Sequence, residues 1–506
     1  MQPDEGLPGG GPAAAAARPD RRRLLRLRPL LEPLPVRPDV PQQPGEADHP
    51  GRPQHPDERG QRRPRRARRG RHHRGRPRRA RVRLHPEVAD HRVQRGGGEG
   101  MTASPASEAS PMPSTPSRTG ARAPLPVVLA GARGHGRWHV ANIRRLQDEG
   151  LVRLVGICEL IPLTEEEFGG GLPEQSADFG ALLESTGARI AIVCTPIPTH
   201  ADLALAAAER GVHLLLEKPP APSYAEFRRM ADGIAAAGVA CQIGFQSLGS
   251  HAVPAIRELV AEGAIGRTVG IGGAGAWVRD EDYFRRAPWA GRRRLNGADV
   301  VDGALTNPLA HAVATALALD GSTRAEDVTG IETELLRAHD IESDDTSCVR
   351  VTTARGGPVT VAATLCAERA GEPYVLVHGT SGRITFWYKQ DRVLLQRADH
   401  GPEEFEYGRT DLLENLVAHL TDGTPLLVTP DRTGAFMKVV EAIRRAPDPA
   451  PLPAGAWRRV PGENRRVVPG VDGLVAAAAD TLSLYSELGA PWARPAEHLP
   501  KEVSTR

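Results

Sequence analysis

The sequence predicts an α/β protein: a doubly wound parallel sheet, then an α+β domain built on a mostly antiparallel sheet. Three observations predict it. Between residues 125 and 246, short apolar runs alternate with helical patterns. After Gln246 the apolar runs lengthen, alternate with polar residues and are separated by close Gly, Pro and Asp turns. The first hundred residues contain no Ser, Thr, Lys, Asn, Ile, Cys, Phe, Trp or Tyr. They lack the large side chains whose burial offsets chain entropy, so the fold must lie beyond them.

The elements follow in order. "PVVLAG" (Pro126–Gly131) reads as a short buried strand, and "WHVANIRRLQDEG" as a helix with Val140, Ile143 and Leu146 on its apolar face and Gly150 as its stop. "VRLVGICE" is a second strand ending at Glu159, "FGALLEST" a helix and "ARIAIVCTP" a third strand. "THADLALAAAERG" is a helix closed by Gly211, and "VHLLLEKPP" a fourth strand. "SYAEFRRMADGIAAAG" opens on a Ser N-cap with Glu226 three residues later, the spacing of a capping box, and "VACQIGFQ" is a fifth strand. Strands separated by helices imply right-handed crossovers and a parallel sheet.

The later runs, among them "TVGIGGAGAW", "VTGIETELLRAH", "DTSCVRVTTA", "PVTVAATLCAE", "PYVLVHGT" and "GRITFWYKQDRVLLQRA", suit an antiparallel sheet. "HAVPAIRELVAEG" precedes them as a helix; "DLLENLVAHLTDG" and "TGAFMKVVEAIRRA" follow as two more. "PDPAPLPAGAWRRVPGENRR" reads as a linker and "VDGLVAAAADTLSLYSELG" as a last amphipathic helix. The expected organisation is therefore a disordered 1–123, the parallel-sheet domain over 124–244, the α+β domain over 245–446, and an extension with one helix over 447–506.

Residues 1–100 carry 24 Arg against 12 acidic residues. Two readings compete: a basic arm, and a mis-assigned start ahead of Met101, favoured because the missing residue types are those with A/T-rich codons. The rest of the chain holds 41 basic and 50 acidic residues. It has no nucleic-acid footprint, no apolar run near the ~20 residues that cross a bilayer, and no visible signal peptide. The five cysteines, Cys158, Cys194, Cys241, Cys348 and Cys366, include no Cys-x-x-Cys pair, which suits a reducing cytoplasm. No metal site is expected.

The first strand runs into "AGARGHGRWH". A glycine turn between a strand and a helix N-terminus binds pyrophosphate through bare N–H groups and the helix dipole. The Rossmann fingerprint Gly-x-Gly-x-x-Gly falls on Gly131, Arg133 and Gly136, so Arg replaces the middle glycine and Gly134 is the candidate for close backbone approach. Glu159, 23 residues beyond Gly136, stands where an acid bonds the ribose hydroxyls and disfavours a 2′-phosphate. NAD is expected, with NADP open through Arg133.

Only four of the 65 basic residues are lysine: Lys218, Lys389, Lys438 and Lys501. Lys218 ends an apolar strand inside "EKPP", where a compact, titratable ammonium does what Arg does not.

With strand, glycine loop, acid, "CTPIPTHADLALAAAERG" and "EKPP" in this order, the chain resembles the glucose–fructose oxidoreductase / inositol dehydrogenase / MocA family over roughly residues 125–445. The resemblance implies a Rossmann domain followed by a sheet covering the nicotinamide, and a homo-oligomer assembled through that sheet. It implies cofactor contacts at His139, Thr195, Pro196, His200 and Glu217, and Lys218 beside the reacting hydroxyl. The family's Asp-x-Gly-x-His signature aligns with "ALTNPLAH", placing Asn307 at the Asp position, Leu309 at the Gly and His311 at the His. His311 is then the acid/base candidate and Asn307 an orienting group; Asp302, nearby, is a carboxylate at the wrong spacing. "WVRDEDYFRRAPWAGRR" offers Tyr283, Arg286, Trp289 and Arg292 for a sugar or acidic sugar. The function expected is hydride transfer between NAD(P) and a sugar, cyclitol or related hydroxy compound. An NAD-dependent glycosidase-type elimination and a non-catalytic cofactor sensor are the alternatives.

Overall fold

A computed structural model of the chain describes residues 123–493 and 497–498. The expectations for residues 1–122, including the start at Met101, lie outside the described residues.

The first sheet is built from β1 (Leu125–Ala130), α1 (Gly136–Asp148), β2 (Val152–Cys158), α2 (Glu165–Phe168), β3 (Glu174–Ser176), α3 (Phe179–Thr186), β4 (Ile190–Val193), α4 (His200–Ala208), β5 (His213–Leu216), α5 (Tyr224–Ala237) and β6 (Cys241–Ile243). Its strands are parallel in the order β3-β2-β1-β4-β5-β6. The order reverses between β1 and β4, which opens a crevice at their C-terminal ends. Val127–Ala130 and Ile190–Val193 are fully buried, as strands with helices on both faces must be. The short edge strand β3 is polar and gave no apolar run to read. At α5 the Ser223 hydroxyl caps the Glu226 N–H as expected, but the Glu226 carboxylate turns to Arg229 and does not close the box.

The second sheet follows α6 (Ala252–Ala261) and begins with β7 (Thr268–Ala276). A segment with α7 (Glu281–Arg285) and a tight hairpin, β8 (Arg294–Leu295) and β9 (Ala298–Asp299), leads to α8 (Ala310–Asp320). Then come β10 (Val328–Arg337), β11 (Thr346–Thr353), β12 (Pro358–Thr364), β13 (Tyr374–Gly379), β14 (Gly382–Trp387), β15 (Arg392–Arg397) and β16 (His400–Glu406). The strand order is β16-β15-β14-β13-β7-β12-β11-β10, antiparallel except where β12 runs parallel to β7. Helices α9 (Leu412–Asp422) and α10 (Gly434–Arg445) return to the first sheet. There the buried Gln242 of β6 donates to Asn415 Oδ1 at 2.6 Å and accepts from the Val428 N–H at 2.9 Å. One continuous apolar core joins the two sheets.

Residues 447–466, expected to be a linker, form an ordered strap. β17 (Ala450–Pro451) pairs parallel with β10, Arg466 donates to the Ala338 carbonyl at 2.6 Å, and the Val468 N–H donates to the Cys366 carbonyl at 3.0 Å. The chain then enters α11 (Val471–Thr481), which packs on β7, β12 and β13. So the central part of the face expected to assemble the oligomer is covered by the chain's own C-terminal segment. The glycines of β7 permit this: a Cβ on Gly272 would lie 1.9 Å from the Ala479 carbonyl oxygen, and one on Gly275, toward the opposite face, 2.6 Å from Leu309. A second core of Val468, Val471, Val475, Ala478, Leu484 and Tyr485 seals the contact.

Tyr485 is fully buried and its hydroxyl reaches the Ser347 and Ala363 carbonyls at 3.2 Å each. Urea denaturation is expected to show Tyr485→Ala destabilised by about 3–5 kcal/mol, the range for emptying a large aromatic site. Tyr485→Phe, which loses only the hydroxyl, should lose about 1 kcal/mol.

Candidate active site

The glycine loop lies in the crevice between β1 and β4. Gly131 adopts φ +85°, and a Cβ there would sit 2.4 Å from the Cys194 carbonyl oxygen at the end of β4. A Cβ on Gly136 would sit 2.0 Å from the Gly131 carbonyl oxygen. These two positions admit only glycine. Gly134 adopts φ +55° and faces open space, leaving its backbone accessible in the turn where Arg133 replaces the usual glycine. No side chain caps α1 and its first turn holds no acid, so its N-terminal N–H groups are left for an anion.

Glu159 turns into this loop. Its Oε1 accepts from the Ala132 N–H at 2.7 Å and the Arg133 N–H at 3.2 Å. The Arg133 guanidinium bridges outward to the Ile161 carbonyl at 2.8 Å and to Glu167 at 3.2 Å. Glu159 therefore fixes the loop backbone, and Arg133 ties the loop to the segment after β2.

Glu217, just past β5, is only 4% exposed. Its Oε1 accepts from His139 Nε2 at 3.1 Å and Gln246 Nε2 at 2.9 Å, its Oε2 accepts from the Lys218 N–H at 3.1 Å, and His135 Nε2 lies 3.6 Å away. Burial opposes ionisation of Glu217, but hydrogen bonds from His135 and His139 outweigh it and hold the carboxyl well below its usual range. His139 is 0% and His200 1% exposed. His200 spends both ring nitrogens on backbone, 2.7 Å from the Thr195 carbonyl and 2.9 Å from that of Pro219. His139, His200 and Glu217 are thus enclosed, with their side chains hydrogen-bonded within the protein and bracing the loops at the crevice. Thr195, hydrogen-bonded to Thr199 at 2.6 Å, and Pro196 are half-buried at the end of β4.

Lys218 projects toward the start of α8. Its Nζ donates to Asn307 Oδ1 at 2.7 Å and to the Asn307 carbonyl at 3.1 Å. Asn307 Nδ2 in turn donates to Asp302 Oδ1 at 2.7 Å. Burial pulls the Lys218 ammonium below the usual lysine range, against the opposing pull of Glu217 and Asp302. One turn along α8, His311 Nδ1 lies 3.2 Å from Ser247 Oγ, which also accepts from Thr315 at 2.9 Å, and Phe245 meets the ring edge-on. Burial, and then the charge of Lys218, push His311 down to about 3, so its imidazole is neutral near pH 7.

The segment after β7 forms a ladder. Arg279 stacks on Trp277 and Tyr283, each at 4.9 Å, and Arg286 stacks on Tyr283 at 3.7 Å and Trp289 at 4.7 Å. Arg286 also reaches Asp302 at 3.6 Å, which ties Tyr283, Arg286 and Trp289 to the Lys218 cluster. Arg292 is not among them: its side chain pairs with Glu342 in an exposed ion pair. Sequence reasoning missed Arg279, His135, Gln246 and Ser247, and the exposed Trp138 stacked on His135. Only the aromatic–Arg alternation could have flagged Arg279; His135 and Trp138 lie in the glycine loop but at none of its signature positions, and Gln246 and Ser247 are brought in by the fold.

Two clusters bring three candidate metal ligands within 4.8 Å: His135, His139 and Glu217, and the buried His339, Asp345 and Cys366. In both, N–H groups already occupy the carboxylate. Asp345 accepts from the Ala338 and His339 N–H groups and from His339 Nδ1, at 2.7 to 2.9 Å, so neither offers a free carboxylate to a cation.

A dinucleotide fits the loop, with its two obligatory glycines, its open Gly134 and an uncapped helix end. Comparison with known proteins agrees. Residues 125–245 match the oxidoreductase family with an NAD-binding Rossmann fold, and residues 253–385 match the GFO/IDH/MocA C-terminal domain. The chain is 25% identical over 242 residues to a levoglucosan dehydrogenase of Pseudarthrobacter phenanthrenivorans, covering 44% of this chain and 60% of that protein. It is 31% identical over 99 residues to a scyllo-inositol 2-dehydrogenase (NAD(+)) of Bacillus subtilis, covering 20% of this chain and 29% of that one. The aligned part is thus less than two thirds of either relative. Among solved structures, the fold is similar to the WlbA dehydrogenase from Bordetella pertussis in complex with NADH and UDP-GlcNAcA (TM-score 0.53, 20% identity, 64% of this chain and 96% of that one). It is also similar to levoglucosan dehydrogenase in complex with NADH (TM-score 0.54, 20% identity, 63% of this chain and 95% of that one). With both of its sheets matched in order behind a glycine loop built for a dinucleotide, the chain belongs to the Gfo/Idh/MocA oxidoreductase family and carries that family's NAD-binding Rossmann domain.

Proposed function

We propose that this protein is an NAD-dependent oxidoreductase that transfers hydride between the cofactor and a CH–OH group of a sugar, cyclitol or related hydroxy compound. Residues 124–244 hold the dinucleotide and 245–446 the substrate. The carrying observation is the Lys218 ammonium, fixed on Asn307 near a neutral, partly enclosed His311. When bound, the cofactor takes or gives the hydride. The chain's own groups manage the proton and the charge. An ammonium has three N–H donors, and two of those of Lys218 go to Asn307; the third is free for the substrate oxygen, where it stabilises developing alkoxide character. With His311 Nδ1 donating to Ser247, Nε2 carries the lone pair that takes the hydroxyl proton. Tyr283, Arg286 and Trp289 offer aromatic faces and a guanidinium to a polyhydroxylated substrate. The five cysteines are free, which suits a cytoplasmic enzyme. Self-association through the second sheet is proposed for β14–β16, beyond the strands on which α11 packs.

A screen of polyols, cyclitols and sugar acids, followed by nicotinamide absorbance, tests the reading. Net NADH formation supports it. Product without net NADH would point to elimination, and cofactor binding without product to a sensor. On the substrate so found, His311→Ala and Lys218→Ala should each lose about 10²–10⁴ in kcat, with NAD affinity little changed. Near-normal turnover of His311→Ala would remove the mechanism.

Glu159→Ser should narrow the preference for NAD over NADP, because a carboxylate no longer faces the 2′-position. It should also weaken both cofactors, because Ala132 and Arg133 lose their anchor. Titration by NADH and NADPH fluorescence reads both effects.

Acid should weaken the fold partly through His311. Its folded pKa lies below its unfolded value, so as pH falls through the ordinary histidine range the unfolded chain takes up a proton that the folded chain refuses. The urea midpoint should therefore drop between pH 7 and pH 5, and drop less in His311→Gln.

A further inference from the structure

The carboxylate that Asn307 cannot supply is present at Asp302. We infer that Asp302 is the positioning residue of the site: its carboxylate acts through the Asn307 amide to hold Lys218 in place, so that charge and amide have exchanged positions relative to the pattern the sequence resembles. The inference rests on the reading of Lys218 as catalytic.

Asp302 is 4% exposed. Its Oδ2 accepts from the Gly291 N–H at 2.8 Å and faces Arg286 at 3.6 Å; its Oδ1 accepts from Asn307 Nδ2 at 2.7 Å. Asn307 Oδ1 is thereby left to accept from Lys218. Every atom has one role: an acceptor at 302, a donor and an acceptor at 307, a donor at 218. The preceding residue, Val301, sits at φ +54°, a conformation a β-branched residue adopts only when its surroundings impose it. Val301 is held there by its N–H on the Arg293 carbonyl at 3.2 Å and by Thr306 Oγ1 on its own carbonyl. This turn brings the carboxylate, five residues before Asn307, back onto the amide.

The same accounting makes Asn307→Asp harmful. A carboxylate at 307 would meet the Asp302 carboxylate at hydrogen-bond distance, acceptor against acceptor. Asp302→Asn fails in the opposite way. Its amide must turn an N–H toward Gly291 or toward Asn307, and flipping Asn307 to suit turns an N–H toward Lys218; one donor always faces another. The exchanged pair, Asp302→Asn with Asn307→Asp, satisfies every bond. The amide then at position 302 would accept from Gly291 and donate to the carboxylate then at position 307. That carboxylate would accept from the amide and from Lys218.

The test compares the wild type, the two single variants and the exchanged pair by two readouts. One is kcat and KM against pH. The other, on cofactor-free protein, is the pH dependence of Lys218 acylation by acetic anhydride, read by mass spectrometry. Glu217, Asp302, Cys194 and Arg286 act on Lys218, which in turn acts on His311 and His200; of these groups only Asp302 is altered. Asp302→Asn should lower kcat at least about tenfold, as small misplacements of a reacting group do, leave the KM for NAD unchanged, and move the Lys218 midpoint down. Asn307→Asp should also lose kcat. The exchanged pair should recover most of the activity, the non-additivity expected of two residues sharing one bond, with the Lys218 midpoint at or above that of the wild type. Two results would overturn the inference: an Asp302→Asn protein with unchanged kcat and Lys218 titration, or an exchanged pair that folds and is no better than the singles. If Asp302→Asn fails to fold, the exchanged pair against wild type decides on the same two readouts. If none of the screened compounds supports NAD reduction by the wild type, the oxidoreductase reading falls, and the Lys218 titration still decides the role of Asp302.

Discussion

A carboxylate buried at the end of a parallel strand organises this molecule. Glu217 cannot be enclosed at 4% exposure unless its lone pairs are met, since an unpaired buried charge costs several kcal/mol. The chain meets them from three directions: His139 on α1, Gln246 in the turn after β6, and the N–H of Lys218 itself. Each bond fixes one element against another. The helix behind the glycine loop, the exit from the sheet and the lysine are thereby set at defined spacings. The same carboxylate favours the charged form of Lys218, against the opposing effect of burial.

The second sheet supplies the other half. Its central strand β7 is packed on both faces, with α11 on one and the start of α8 on the other, and its glycines let both approach closely. This makes β7 a rigid base for the loop that follows it, in which Arg279, Tyr283, Arg286 and Trp289 stack. Arg286 links that ladder to Asp302, and Asp302 links it through Asn307 to Lys218. The aromatic–arginine ladder and Lys218 thus share one frame of ion pairs and hydrogen bonds anchored in both sheets.

His311 completes the site from α8. Two effects keep it neutral: enclosure, and the neighbouring ammonium. Two carboxylates favour the charged form of Lys218, while burial and then that lysine favour the neutral form of His311. That division of acid and base comes from environment and not from residue type.

The sequence by itself determined the parallel sheet, the glycine loop, the candidate lysine and the candidate histidine. Buried strands, helix stops and glycine turns are written in local spacing, and Lys218 and His311 stand at fixed places in motifs. It determined less well the members of those motifs whose work depends on depth. His139, His200 and Glu217 stand in those motifs, but nothing in the local sequence says that the fold encloses them. Tertiary structure alone decided what lies between distant segments. Asp302 was visible as a carboxylate at the wrong spacing, and spacing along a chain says nothing once Val301 turns the backbone at a positive φ. Arg292 lay in the right segment but on its outer side, and residues 447–466 looked like a linker because a strap held by backbone pairing needs no apolar periodicity. Hydrogen bonds between segments far apart in sequence leave no mark on either segment, so the meeting of Asp302, Asn307 and Lys218 becomes readable only when the chain is folded.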